Sequence, residues 1–465
     1  MKFYKNNYTK LFFLGLISSL AFAPTYLFFV FFYAFYYLLE NLEENHKINF
    51  IKGWNFGFGY FIGNCYWYCN SLLVEPLKFG WLIPFAISII PAYLAIYIGF
   101  TTYFTSYIKK YTNNNFIITL GFAFLWTIFE YLRGLLLTGF PWNLIGYSLG
   151  FSQILTQIVS IVGTYIFGFL LIIFYSCFYV LKDKKFKIYS IFYIFLFSFI
   201  TIYGFYRVNN DNNTTKICNI RLVQPNIPQN IKLENNIKEI LSNLLNLSLE
   251  NSDNIKYIIW PESALPVYLF FEDNDYKKYN KKILLFLSEK LGNKTLITGG
   301  IRIDLKNEKI FNSIFVIKEG RIIDFYDKHH LVPFGEYIPF SNIFTFLNTI
   351  TGIANISTSD NWKKIIKIDN EFPIFSPTIC YESIFTNLIN KKANLIINLT
   401  NDAWFGSTSG PYQHLIASKF RALENKTPTL RVANSGITAL INKYGKIINK
   451  LKLNKSGTVD ICIEY

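Results

Sequence analysis

The feature that most constrains this chain is a change of character at Arg207. Before it the 465-residue sequence is nearly all Phe, Leu, Ile and Tyr, and after it charge and Asn become common. Lipid offers exposed backbone no hydrogen-bonding partner, so apolar runs of about 20 residues are expected to cross a bilayer as helices. Residues 1–207 therefore read as a transmembrane helical bundle of about seven spans, near 11–22, 26–39, 56–74, 82–108, 116–137, 154–181 and 188–206. The first is short for a full crossing, so the first two are expected to be tightly packed or partly re-entrant. The polar stretch 208–216 reads as a linker, and 217–465 as a separate soluble domain.

Lys2 and Lys5 precede an apolar run ending in Ala21-Phe22-Ala23, a pattern shared with signal peptides. Pro24 at the would-be cleavage site and the spans that follow favour a retained helix. Basic residues collect at Lys2, Lys5 and Lys10, at Lys47 and Lys52, at Lys109 and Lys110, and at Lys182, Lys184, Lys185 and Lys187, whereas 75–80 and 138–152 are almost free of them. Short cytoplasmic loops retain Lys and Arg, so this spacing places the N-terminus inside and everything after Arg207 on the outer face. Within the fifth span, Glu130 and Arg133 share one helical face. Charges there either pair to fix helix packing or take a direct part in substrate binding. Trp142, in Gly139-Phe140-Pro141-Trp142-Asn143, reads as an interfacial anchor or as the mouth of a lipid-accessible site.

A net charge of +15 raises the question of nucleic acid, but no nucleic-acid module or glycine-rich phosphate loop accompanies it, and no nucleic-acid partner is expected. Of six cysteines, Cys65, Cys69 and Cys177 lie in apolar stretches, Cys218 and Cys462 in expected strands, and Cys380 in a motif. None has zinc-type spacing, and structural burial is expected for all but Cys380.

From Ile217 onward, β-rich runs at 220–224, 257–260, 296–299, 314–317, 375–379, 395–399, 429–432 and 438–441 alternate with helical stretches at 235–249, 276–290 and 412–424. Such alternation predicts a layered α/β domain with functional residues at strand ends. Three motifs stand there: Trp260-Pro261-Glu262-Ser263, the run from Asp327-Lys328-His329-His330 to Gly335-Glu336, and Thr378-Ile379-Cys380-Tyr381-Glu382. Together they supply a carboxylate, an ammonium and a thiol, the groups that covalent acyl chemistry on an ester or amide requires. Cys380 is the candidate nucleophile, exposed by a sharp strand-to-helix bend; Glu262 the candidate base; Lys328 the candidate oxyanion stabiliser. Taken singly, Cys380 reads as a small buried residue, Glu262 as a helix-start carboxylate, and Lys328 with Glu336 as a surface ion pair. Their order and context favour chemistry. His329 and His330 are adjacent and point apart on a strand, so no metal site is expected.

These motifs resemble the nitrilase, or carbon–nitrogen hydrolase, superfamily, which carries Glu, Lys and Cys in this order. With the first half included, the chain is similar to the apolipoprotein N-acyltransferase family. The likeness extends to Phe22-Ala23-Pro24, Glu130-Tyr131-Leu132-Arg133, Leu222-Val223-Gln224-Pro225-Asn226 and Asn398-Leu399-Thr400-Asn401-Asp402-Ala403-Trp404-Phe405-Gly406. The resemblance implies a nitrilase-like αββα sandwich, with Glu262, Lys328 and Cys380 catalytic, Glu336 supporting the lysine, and Tyr381 and Glu382 at further important positions. It implies a phospholipid acyl donor, a cysteine thioester, and as acceptor the α-amino group of a diacylglyceryl cysteine on an apolipoprotein. It also implies a bacterial inner-membrane location facing the periplasm, a monomer, and no cofactor. The family usually has Trp where Leu233 stands, and usually ends in a transmembrane helix where this sequence ends at Ile461-Cys462-Ile463-Glu464-Tyr465, so the N-terminal bundle is expected to supply the anchor. Two alternatives are a membrane-tethered amidase using the same triad, and a transporter with a degenerate soluble domain; the latter predicts loss of a triad residue, and all three are present.

Overall fold

The computed structural model describes residues 2–183, 185–210, 215–229, 231, 236–271, 274–339 and 355–465. Leu233 lies outside them. The chain divides into two compact units, one of residues 1–212 with 408–424, the other of 213–407 with 425–465.

The first unit is helical. Its longer helices run Lys2–Ser18, Val30–Glu40, His46–Cys65, Ile83–Tyr111, Asn115–Arg133, Val159–Tyr175 and Phe186–Asn209, so each expected span has a helix behind it. Among the described residues, four segments are long and apolar enough to cross a membrane by themselves: Pro76–Tyr111, Asn115–Arg133, Leu155–Tyr175 and Lys187–Asn209. Val30–Glu40 is apolar but only 11 residues long. His46–Cys65 is diluted by polar residues, among them the buried Lys52, whose Nζ pairs with Glu43 Oε1 at 2.5 Å. Large apolar side chains such as Ile191, Ile194 and Phe195 are two-thirds exposed on the last of these helices, a surface that belongs in lipid.

A further helix, Gly410–Asn425, comes from the second half of the sequence, yet residues 408–424 belong to the first unit. It is buried almost all round. Gln413 Oε1 accepts from Trp142 Nε1 at 2.7 Å and Trp67 Nε1 at 3.1 Å, Lys419 Nζ donates to the Gly150 carbonyl at 2.5 Å, and Arg421 pairs with Glu424 at 2.8 Å.

The second unit holds two sheets. One runs β12-β1-β2-β4-β5-β6, with β3 also paired to β4; the other runs β11-β10-β9-β8-β7. The strands are β1 Lys216–Gln224, β2 Tyr257–Ile259, β3 Tyr268–Phe271, β4 Thr295–Asp304, β5 Lys309–Lys318, β6 Arg321–Asp327, β7 Phe375–Ile379, β8 Leu395–Thr400, β9 Thr429–Ala433, β10 Ala439–Ile441, β11 Ile447–Lys450 and β12 Gly457–Glu464. Alternation along each strand sorts side chains between two cores. Ile220, Leu222, Ile259, Ile314 and Val316 meet Phe375, Ile379, Ile397, Leu399 and Val432 between the sheets. On the other face of the first sheet, Val223, Ile258, Leu296 and Phe315 pack on the helices Ile237–Leu249 and Asn274–Leu291. This is a layered α/β domain, two sheets packed face to face with helices on the outer face of the first.

Two cysteine expectations need correction. Cys218 and Cys462 are not buried thiols but a disulfide, formed where they face each other across the antiparallel β1–β12 pair. On β12, Ile461 and Ile463 point into the core, which turns Cys462 outward. The His329-His330 pair sits on a bend after β6, not on a strand, with the His329 ring stacked on Trp362 and the His330 ring tilted against Phe385.

Candidate active site

The residues singled out in the second half converge at the ends of β2, β6 and β7. Lys328 follows β6 directly. The strand end that carries it is held by Asp327, whose carboxylate takes Arg302 Nη2 at 2.8 Å and Ser313 Oγ at 2.5 Å. The Lys328 backbone N–H then donates to the Asn312 carbonyl at 2.8 Å. Thus aimed inward, the ammonium is 1% exposed, 2.9 Å from Glu336 and 3.8 Å from Glu262 Oε1.

Glu262 lies in the turn after β2, against Gly299 of β4. A Cβ on Gly299 would stand 2.7 Å from Glu262 Cα and 2.6 Å from the Ser263 nitrogen, so only glycine permits this approach. The Glu262 Oε1 accepts from Asn312 Nδ2 at 2.9 Å, and the same amide donates to Glu336 Oε1 at 3.0 Å. Asn312 therefore bridges the two carboxylates that flank the lysine. Sequence reasoning passed it over; the one available signal was a lone amide inside the apolar run of β5.

Cys380 is the first residue past β7, at φ +49°, a left-handed conformation that costs a side-chain-bearing residue about 1–2 kcal/mol. The turn is braced by Glu382, whose Oε2 accepts from the Ile379 N–H at 2.7 Å while Oε1 accepts from the N–H groups of His329 and His330 at 2.8 and 3.1 Å and from the Tyr326 hydroxyl at 2.8 Å. One buried carboxylate so ties the cysteine turn to the lysine segment. Tyr381 packs its ring against Phe385 and His330. The Cys380 thiol stands near enough to Glu262 to favour its carboxylate form.

Burial dominates the electrostatics. It pushes the Glu262 carboxyl above the usual carboxylate range; Glu336 adds to this, and Lys328, the Asn312 hydrogen bond and the Cys380 thiol oppose it. Burial and the Glu262 charge push the Cys380 thiol well up, against Lys328. Burial alone would depress Lys328, but Glu336, Glu262 and Cys380 outweigh it and hold the amine charged. At rest the site is a thiol beside a reluctant carboxylate and a fixed cation.

Trp142 belongs to the other unit. It is 3% exposed, with its ring 4.4 Å from that of Trp67 and its N–H spent on Gln413, so it is an interior residue there and not an interfacial anchor. Arg133 Nη1 donates to the carbonyls of Phe140 and Trp142 at 2.7 and 2.9 Å, and Glu130 Oε1 accepts from the Ile145 N–H at 3.0 Å. The charged pair, 3.5 Å apart, shapes the loop that holds Trp142.

Residues 14–177 match the apolipoprotein N-acyltransferase N-terminal domain, and residues 219–464 match the carbon–nitrogen hydrolase family. The chain is 38% identical over 459 residues to the apolipoprotein N-acyltransferase of Rickettsia prowazekii, covering 95% of this chain and 89% of that one. It belongs to the apolipoprotein N-acyltransferase family. The Rhodopseudomonas palustris member is 32% identical, covering 96% of this chain and 87% of its own. Among solved structures, the carbon–nitrogen hydrolase from Helicobacter pylori G27 is 14% identical over 53% of this chain and 89% of its own, with a TM-score of 0.40. Family membership together with the apolar helices makes this a membrane protein.

Proposed function

We propose that this protein transfers an acyl chain from a phospholipid to the N-terminal α-amino group of a diacylglyceryl cysteine on an apolipoprotein, through a thioester on Cys380. The observation that carries the reading is the thiol, carboxylate and ammonium of Cys380, Glu262 and Lys328 gathered in one buried site of a family member with an apolar helical half. Glu262 takes the thiol proton, and the thiolate attacks the ester carbonyl of the phospholipid. The oxyanion that forms faces the Lys328 ammonium, which Glu336 holds in place. Collapse breaks the C–O bond, Glu262 returns its proton to the departing glycerol oxygen, and a lysophospholipid leaves. The acceptor amine then attacks the thioester, gives a proton to Glu262, and expels the thiolate, which recovers it. Burial suits both halves: a raised carboxyl is a stronger base than an ordinary one, and a dry site keeps water from the thioester.

The basic residues at Lys47, Lys52, Lys109, Lys110 and Lys182 support an inward N-terminus, with the second unit on the periplasmic side of the inner membrane. The Cys218–Cys462 disulfide supports the same side, since such bonds persist in oxidising compartments. The protein is proposed to act as a monomer without a cofactor.

The test is to incubate the purified protein with phospholipid and a diacylated lipopeptide. Triacylated product that disappears with Cys380→Ala supports the reading; ammonia release from small amides with no acyl transfer overturns it.

A further inference from the structure

One hydroxyl beside the nucleophile has no assigned task. Thr400 is the last residue of β8, and Cys380 the first past β7. Ile379 and Leu399 are the last partners in the parallel register of these strands, so Cys380 and Thr400 each stand one residue beyond that pair, at the same end of the sheet. Thr400 is fully buried. Its Oγ1 donates to Asp402 Oδ1 at 3.1 Å, and the same hydroxyl stands near enough to the Cys380 sulfur to favour its anion. A threonine hydroxyl has a single proton. It can serve the carboxylate or a thiolate, not both at once.

Asp402 is built to let that proton go. Its Oδ2 is 2.5 Å from Arg431 Nη2, both side chains are inaccessible, and Arg431 Nη1 is fixed on Asn398 Oδ1 at 3.0 Å. The carboxylate keeps its cation whichever way the hydroxyl turns.

We propose that Thr400 is a catalytic residue, whose hydroxyl turns from Asp402 Oδ1 to the Cys380 sulfur as the thiol loses its proton and there stabilises the thiolate. The inference rests on Cys380 as nucleophile. In the step the S–H bond breaks, an O–H bond forms on Glu262, Thr400 keeps its own proton, and no electrons change hands. When the sulfur becomes a thioester it no longer attracts a donor, and the hydroxyl returns to Asp402. The same cycle repeats when the thiolate is expelled. The other charged groups facing the sulfur are Glu262 from the turn after β2, Lys328 from the end of β6 and Asp402 from the turn after β8. Of these only Lys328 favours the anion, so a neutral donor on the Asp402 side relieves the least favourable direction.

The experiment uses the full-length protein in vesicles of phosphatidylethanolamine and phosphatidylglycerol. Two quantities are read: the alkylation rate of Cys380 by iodoacetamide against pH, mapped to its own peptide, and single-turnover formation of the acyl-enzyme. Removing one preorganised donor should slow both at least about tenfold in Thr400→Val and displace the alkylation profile to higher pH. Thr400→Ser, which keeps the hydroxyl, should stay within about threefold of the parent. Should Thr400→Val lose its melting transition, the smaller Thr400→Ala replaces it. A valine or alanine variant with the parent's rates and profile, or a serine variant as slow as they are, overturns the proposal. Acyl-enzyme that still accumulates in Cys380→Ala instead overturns Cys380 as the nucleophile and leaves Thr400 without a role.

Discussion

Glu262, the proposed base, is held between opposing influences, and its ionisation is the expected pH-sensitive point of the site. Burial and the Glu336 carboxylate raise its pKa, while Lys328 and the Asn312 amide pull it down. A base must be unprotonated to act, so activity should fall as pH drops through a value above the ordinary glutamate range of about 4.3. Lys328 is held charged to high pH and adds no alkaline loss near neutrality. The expected kcat/KM profile has one acid limb, and a limb at or below the ordinary glutamate value would contradict the assignment. Asn312→Ala removes a hydrogen bond that favours the carboxylate. It should therefore move the limb to higher pH and lower activity near neutrality by about 10-fold, consistent with loss of one charge-assisted hydrogen bond of about 1.5 kcal/mol. A profile unmoved by that substitution would show that the amide does not act on Glu262. The glutamate, lysine and cysteine were legible in the sequence because each carries reactive chemistry inside a short motif. Asn312 was not, since its importance lies in bridging residues 262 and 336.

Elements deliver these groups, and the accuracy with which each could be read follows how its strands are buried. β8 matches the expected 395–399 to within one residue because its burial is continuous and Leu395-Ile396-Ile397 stands out as an apolar run. β6 was passed over, and β12 was placed only at Cys462, because charged and apolar residues are interspersed along Arg321–Asp327 and Gly457–Glu464, so neither offers a run. The helix Gly410–Asn425 was read as a helix, but all of it up to Glu424 packs in the first unit, which amphipathic spacing does not disclose. Gln413 shows how firmly it is held there, one carboxamide oxygen taking both indole N–H groups. Gln413→Leu strands those two donors, and at about 1–3 kcal/mol for each buried unsatisfied group the apparent melting temperature of the full-length protein should fall clearly. Gln413→Glu, which retains an acceptor, should lose less. Equal loss in the two variants would mean that side-chain packing, not the accepting oxygen, holds the helix.

At the scale of the whole molecule, the Cys218–Cys462 disulfide closes a loop of 244 residues that contains nearly all of the second unit. Cross-links of this kind typically stabilise by about 2–4 kcal/mol. Cys218→Ser together with Cys462→Ser should lower the melting temperature while leaving acyl transfer at low temperature intact, since neither residue approaches the site. Alkylation of membranes before and after reduction should reveal these two thiols only after reduction; two free thiols in untreated membranes would argue against an oxidising compartment for this unit.

The division into an apolar helical half and an α/β half, and the chemical kinds of group available to the site, followed from the sequence alone, because burial periodicity and motif chemistry are local properties. The disulfide, the burial of Trp142, the Asn312 bridge and the placing of Thr400 beside Cys380 were decided only by tertiary structure. Each depends on strand register or packing between residues far apart in the chain, and no local pattern records which of many possible partners a side chain will meet.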